Sequence, residues 1–211
     1  MADDVNSSKY VILDSDVIVS FSSGNYEKSN EILNNLAIAT ERGYGLAISN
    51  ISIFEMLNES NMETEEKRIE AIQFFKRFEL DNKVLIAASH IGCLYKEANH
   101  TISSFGVKII AATAFLTDSL IFTLNGKDYP RPFFDELVKT YIKYEVKGRD
   151  VIQVAYFMKP DVKLIEELHK NRVQEHQENV NKKLGIPVRE STLTETASLS
   201  QTIITSSLNK E

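Results

Sequence analysis

The stretch 10–21, YVILDSDVIVSF, limits this chain most. Four residues suited to a buried strand, Tyr10 to Leu13, run into a carboxylate at Asp14; a second follows at Asp16, and the chain then turns apolar again. In an open α/β sheet, ligands gather beyond the carboxyl ends of the strands. An acid at such an end is placed for chemistry. Asp is also a preferred helix N-cap, and that plainer reading stands beside the first.

The rest of the chain alternates short apolar strands with helical patterns. Residues 25–41 carry Ile32, Leu33, Leu36, Ile38 and Ala39 at helical spacing and end at Arg42-Gly43. Residues 44–49 (YGLAIS) read as a strand leading to a helix capped by Asn50 or Ser52, which carries Glu55 among apolar neighbours. Residues 63–78 predict an amphipathic helix, acidic early and basic late, with a solvated charged face. Residues 83–87 (KVLIA) predict a third strand, 89–105 a helix broken by Gly106, 107–116 a further apolar helix, and 120–123 (LIFT) a fourth strand ending in the polar loop 124–131. This order predicts βα units with a mainly parallel sheet. Residues 138–146 and 151–157 around Lys147-Gly148 predict an added β-hairpin, and 161–184 a polar helix with a narrow apolar stripe for one partner surface. The Ser- and Thr-rich stretch 185–211 is expected to be a disordered tail.

Composition narrows the class of activity. At 211 residues, 43% hydrophobic and 26% charged, the chain has the makings of one globular domain with an extension. A single cysteine, Cys93, excludes an internal disulfide, and no apolar run reaches the roughly 20 residues that cross a bilayer. The N-terminus has neither the basic nor the apolar region of a secretion signal, so a cytoplasmic protein without membrane contact is expected. A net charge of −6 argues against coating nucleic acid by overall charge, yet a site built of carboxylates is itself acidic.

Two families open with a strand running into such acids. Phosphatases of the haloacid dehalogenase type also need a lysine and a late acidic pair, and neither is matched here, since Arg149-Asp150 falls in the hairpin turn. The second family matches in four places. DSD follows the first strand; ISIFEML carries Glu55 in what reads as the second helix; KIIAATAF (Lys108 to Phe115) matches an IAATA helix; and LIFTLNGKDYPRP from Leu120 matches a T-x-N-x-x-D-[FY] segment. Over residues 9–135 the chain thus resembles the PIN-domain family and is similar to the VapC-type toxin ribonucleases of toxin-antitoxin pairs.

That resemblance implies a three-layer α/β/α PIN-like fold over residues 8–160, followed by the C-terminal helix and tail. It implies an endoribonuclease dependent on Mg2+ or Mn2+, hard cations that take oxygen ligands. Carried over by position, Asp14, Glu55 and Asn125 are catalytic; Asp14, Glu55, Asp16 and Asp128 hold metal; Thr123 and Lys127 meet substrate. RNA, an antitoxin protein and a second copy of the chain are the implied partners. One departure stands out. The family's third acid, preceding the IAATA helix, is here Val107, which cannot bind a cation. The alternative is therefore a degenerate domain that binds RNA or a protein without cleaving it.

Other readings of single residues compete. Glu55 reads as a solvent-facing helix residue and Asp128 as a turn residue if the motif company is set aside. His90, Cys93 and His100 fall on one predicted helix without sharing a face, so no zinc site is expected. Lys139, Lys143, Lys147 and Arg149 suit either an RNA backbone or an edge strand kept from aggregating.

Overall fold

In the computed structural model the described residues are 10–22, 24–58, 62–100 and 104–184. The chain divides into two units, Met1–Val162 and Lys163–Glu211. The first holds a six-stranded sheet in the order β3-β2-β1-β4-β6-β5. β1 (Tyr10–Leu13), β2 (Gly45–Ser49), β3 (Lys76–Phe78) and β4 (Leu120–Thr123) run parallel, while β5 (Phe134–Val146) and β6 (Arg149–Pro160) add an antiparallel hairpin to one side. The fold is a layered α/β arrangement with a mainly parallel sheet, as expected. β1 lies between β2 and β4, so its three residues Val11 to Leu13 are buried from both faces.

Helices cover the two faces. On one, α1 (Ser15–Phe21) and α2 (Tyr26–Glu41) bring Val17, Ile18, Ile32 and Leu36 against Val11, Leu13, Phe122 and Phe157. On the other lies α6 (Phe105–Thr117), whose residues Ile109 to Ala112 are wholly buried. α3 (Asn50–Asn58) follows β2 directly, and α4 (Met62–Ile72) and α5 (Asn82–Glu97) complete the unit. In the second unit the described part is α7 (Val162–Leu184) from Lys163 onward, close to the helix expected at 161–184. The tail 185–211 lies outside the described residues.

Several boundaries differ from expectation, each for a local reason. The run KVLIA at 83–87 is the start of α5, not a strand, because Asp81 caps it by accepting from the Val84 N–H at 2.9 Å. Val84, Ala88, Ile91, Leu94 and Tyr95 then form its buried stripe; a short apolar run does not by itself reveal its period. The third strand is instead Lys76–Phe78, three mostly exposed residues read from sequence as the end of a helix. α1 was not foreseen, so Glu55 sits on the third helix after β1 and not the second. Gly106 belongs to the first turn of α6 and does not break it from a neighbour. At α3, neither expected cap serves: the Ser49 hydroxyl receives the Ile51 N–H at 3.4 Å, while Ser52 donates to the Leu13 carbonyl at 3.5 Å. The hairpin is longer than predicted, and its turn residues Lys147 and Gly148 both have positive φ, which matches the right-handed twist of paired strands.

The Phe122 and Phe157 rings stack at 4.5 Å where the parallel strands meet the hairpin. Phe122 has no exposed surface. Phe122→Ala is expected to cost about 3–5 kcal/mol in chemical denaturation, through lost burial and an unfilled cavity.

Candidate functional site

Asp14 is the first residue past β1. Its N–H donates to the Phe122 carbonyl of β4 at 3.0 Å, extending the ladder by one bond, and its side chain then caps α1 by accepting from the Ser15 N–H at 2.8 Å. The capping reading of this residue holds, and it leaves the carboxylate in the cleft. Strand end and helix start together fix the carboxylate at the top of the sheet, only 3% exposed.

Three further elements bring groups to it. The Tyr129 hydroxyl donates to Asp14 Oδ2 at 2.8 Å from beyond a 3-10 turn, Gly126–Asp128, which lies within the expected loop 124–131. The Ser15 hydroxyl lies 2.5 Å from Glu55 Oε2 and 3.3 Å from Asp14 Oδ1, so one side chain joins the two acids. Asp16 turns toward the end of β4, where its Oδ2 accepts from the Leu124 N–H at 3.0 Å and the Thr123 hydroxyl at 3.3 Å. The Asn125 amide donates to Asp128 at 3.0 Å. A cleft of about 540 Å³ results, lined by Asp14, Asp16, Glu55, Asn125 and Asp128, with Val107 forming an apolar part of its wall.

The electrostatics are those of an acidic site short of positive charge. Burial pushes the Asp14 carboxyl above its ordinary range; donors from Tyr129, Thr123 and Ser15 pull it back, and the Asp128 charge raises it further. Asp16 is pushed up to about 7 by burial and by Asp14, against the pull of the Leu124 and Thr123 donors. Its Oδ1 is buried without a hydrogen-bond partner. Burial and the nearby Asp14 carboxylate hold Tyr129 well above the usual phenol range, so it stays a donor.

Among the described residues, no three His, Cys, Asp or Glu side chains stand together as a ready metal-ligand group. The expected ligands Asp14, Asp16, Glu55 and Asp128 share one cleft, but each carboxylate is engaged by a donor of the protein: Tyr129 and Ser15, Leu124, Ser15 again, and Asn125. The donor set, all hard oxygen with one orphaned buried oxygen and two carboxyls each raised by burial and by a neighbouring acid, fits Mg2+ or Mn2+ after side-chain adjustment.

Two expected substrate contacts lie outside the lining of the cleft. Thr123 has no exposed surface, and its hydroxyl orients Asp16 and receives the Asn125 N–H at 3.0 Å. Lys127 is exposed on the 3-10 turn but does not line the cleft. Three residues of the site had no role assigned from sequence. Ser15 and Tyr129 lie inside the matched motifs, where their side chains looked incidental. Gly106 leaves room for Glu55, since a Cβ there would fall 2.0 Å from Glu55 Oε1; the close approach joins positions far apart in the chain and has no local signal.

No known family's sequence profile matches the chain, and no curated protein matches it. Solved toxin-antitoxin complexes are what its backbone is similar to. One is VapBC2 from Rickettsia felis bound to a DNA fragment from its promoter, at 16% identity and a TM-score of 0.49 over 57% of this chain and 90% of that one. Another is a toxin-antitoxin complex from Klebsiella pneumoniae, at 22% identity and a TM-score of 0.45 over 58% and 92%. Likeness of this degree decides no chemistry, which rests on the residues of the cleft.

The raised Asp16 carboxyl gives a pH dependence of definite sign. Between its ordinary value of 3.8 and about 7 the folded protein keeps a proton that the unfolded chain has released. This group's contribution to stability therefore falls as pH rises through that window, and the full cost is present above it. Without divalent metal, acidifying from about pH 7.5 to about pH 5.5 is expected to raise Tm, and Asp16→Asn to raise Tm at the higher pH by about 2–4 °C per kcal/mol relieved, with a flatter pH profile, in thermal melts in EDTA. Gly106→Ala is expected to leave stability within about 1 kcal/mol, the clash falling on a flexible carboxylate and the helix preferring alanine. Its Mn2+ affinity, read by calorimetry, is expected to fall roughly tenfold because Glu55 is displaced.

Proposed function

We propose that this protein is a PIN-type endoribonuclease that uses Mg2+ or Mn2+ at the cleft between Asp14, Asp16, Glu55 and Asp128. The observation that carries the reading is the convergence, at the carboxyl end of the sheet, of four acids from three separate segments of the chain. Packing alone gives no reason to gather so much negative charge where two carboxyls already resist ionisation. The motif resemblance, and not the likeness to solved complexes, brings in RNA as substrate, an antitoxin protein as partner and a homodimer as the assembly.

In this reading Asp14 and Glu55 are the principal ligands, with Asp16 and Asp128 standing in for the acid that Val107 replaces. When bound, such a cation supplies a more acidic water and stabilises charge on the phosphate oxygens. The chain's own residues prepare the place. Tyr129 fixes one oxygen of Asp14 and Ser15 ties the other to Glu55, so the two acids keep a set separation. Thr123 and the Leu124 N–H hold Asp16, leaving its second oxygen without a protein partner. Asn125, exposed and paired with Asp128, offers an amide at the mouth.

A second reading is favoured by Val107. It lies at the cleft wall on the first turn of α6, where the family's third acid would stand, and the remaining acids do not form a ready ligand group. On that reading the domain binds RNA without cutting it.

Labelled single-stranded RNA incubated with the purified protein and Mn2+ separates the two. Cleavage that falls roughly 100-fold or more in Asp14→Asn supports the enzyme. Binding without cleavage, together with activity that appears only in Val107→Asp, overturns it in favour of the non-catalytic domain.

A further inference from the structure

The β5–β6 hairpin extends past the sheet that carries it. β6 runs antiparallel to β4, and the pairing ends at Thr123 opposite Tyr156. The stretch from Arg149 to Ala155 therefore stands beyond the carboxyl end of β4, an arm of roughly 20 Å at the ordinary strand rise. That is the end of the sheet where Asp14 and Asp16 lie.

The two faces of the arm differ. One carries Ile142, Ala155 and Phe157 into the core beside α2. The other carries Lys139 opposite Tyr156, Tyr141 opposite Val154 and Lys143 opposite Ile152. Lys139 and Lys143 are exposed, Tyr141 is 54% and Ile152 62% exposed, and Tyr156 and Val154 are half-buried. The acids of this face are confined to its ends, Glu136 at the base and Glu145 opposite Asp150 at the tip. Between them lie only lysines, tyrosines and aliphatics, in a chain whose net charge is −6.

This face joins the cleft. The Tyr156 ring packs against Gly126, where a Cβ would fall 3.1 Å from the ring, and Gly126 opens the 3-10 turn that holds Asp128 beside Asn125. Lys139 Nζ lies 5.9 Å from the centre of the Tyr156 ring, so a cation sits over the aromatic surface nearest the site.

We propose that the outward face of the hairpin, Lys139, Tyr141, Lys143 and Tyr156, is a binding track for single-stranded RNA leading into the acidic cleft. The substrate class rests on the nuclease reading above. The chemistry matches: lysines neutralise successive phosphates, and tyrosines between them give flat surfaces on which unpaired bases stack with little sequence preference. A duplex hides its base faces and gains little from such a ribbon. The track supplies the positive charge that the cleft lacks, and it holds the strand while the acids engage one phosphodiester.

The test is binding of a fluorescein-labelled single-stranded RNA of about 12 nucleotides to the full chain in EDTA, by anisotropy over a range of salt, with cleavage in Mn2+ measured separately. Lys139→Glu with Lys143→Glu is expected to weaken binding roughly tenfold or more and to lower the dependence of log affinity on log salt by about one to two. Tyr141→Ala is expected to weaken it roughly fivefold or more with the salt dependence kept. Lys76→Glu with Arg77→Glu, the same charge change on exposed β3 at the opposite side of the sheet, is expected to leave binding within about twofold. All five positions are exposed, so the variants are expected to melt as the unaltered protein does; a duplex of the same sequence is expected to bind more weakly. Equal loss in both double reversals means binding by overall charge and overturns the track. So does unchanged binding, including the case in which a ribbon variant alters the oligomeric state and the face proves to be a contact between copies. Ribbon variants that lose binding while the unaltered protein cuts nothing support the track and remove the nuclease; cleavage with ribbon variants behaving as the unaltered protein does the reverse.

Discussion

A carboxylate with almost no access to water is the centre on which this structure depends. Asp14 is held between the end of a central strand and the start of a helix, where burial alone would drive it toward its neutral form. The phenol of Tyr129, the amide and hydroxyl of Ser15 and the nearby hydroxyl of Thr123 act against that drive. Each comes from a different stage of the chain, so the carboxylate is satisfied only when β1, α1, β4 and the 3-10 turn are all in place. A charge this costly to bury, kept at the one end of the sheet where strands open into loops, marks a site more firmly than any single motif.

The surrounding acids extend the same logic. Asp16 and Asp128 add negative charge to a cleft that already has too much, and Asp16 keeps one oxygen without a partner. An array of that kind is poised to gain from a divalent cation, since the cation relieves repulsion that the fold otherwise carries. Val107 changes the balance by putting an aliphatic wall where a further acid would share the load. The hairpin supplies what the cleft lacks, placing lysines and tyrosines at the same end of the sheet.

The order of the elements was largely legible because each core segment has its own local signal. YVIL and LIFT are short apolar runs bounded by polar residues, the mostly apolar stretch 107–116 around IAATA is long enough to be a buried helix, and Lys147-Gly148 is a tight turn by composition. KVLIA at 83–87 misled because four apolar residues in a row fit a strand and a helix equally, and the deciding feature was the Asp81 side chain just before them. KRF at 76–78 pairs at the sheet edge through its backbone, with almost no apolar demand, and so carried no strand signal.

What the sequence determined by itself was which residues could do chemistry and in what order they come: Asp14 at a strand end, Glu55 on a helix, Asn125 and Asp128 in a polar turn, and a valine where an acid was expected. Those facts are local and survive in one dimension. Only the tertiary structure decided that Ser15 would tie Asp14 to Glu55, that Tyr129 would lie buried against Asp14, that Gly106 would make room for a carboxylate from another helix, and that Thr123 would support Asp16 from inside the protein. The reason is that burial and hydrogen-bond partnership depend on distances between segments far apart in the chain, and no spacing along a sequence records them.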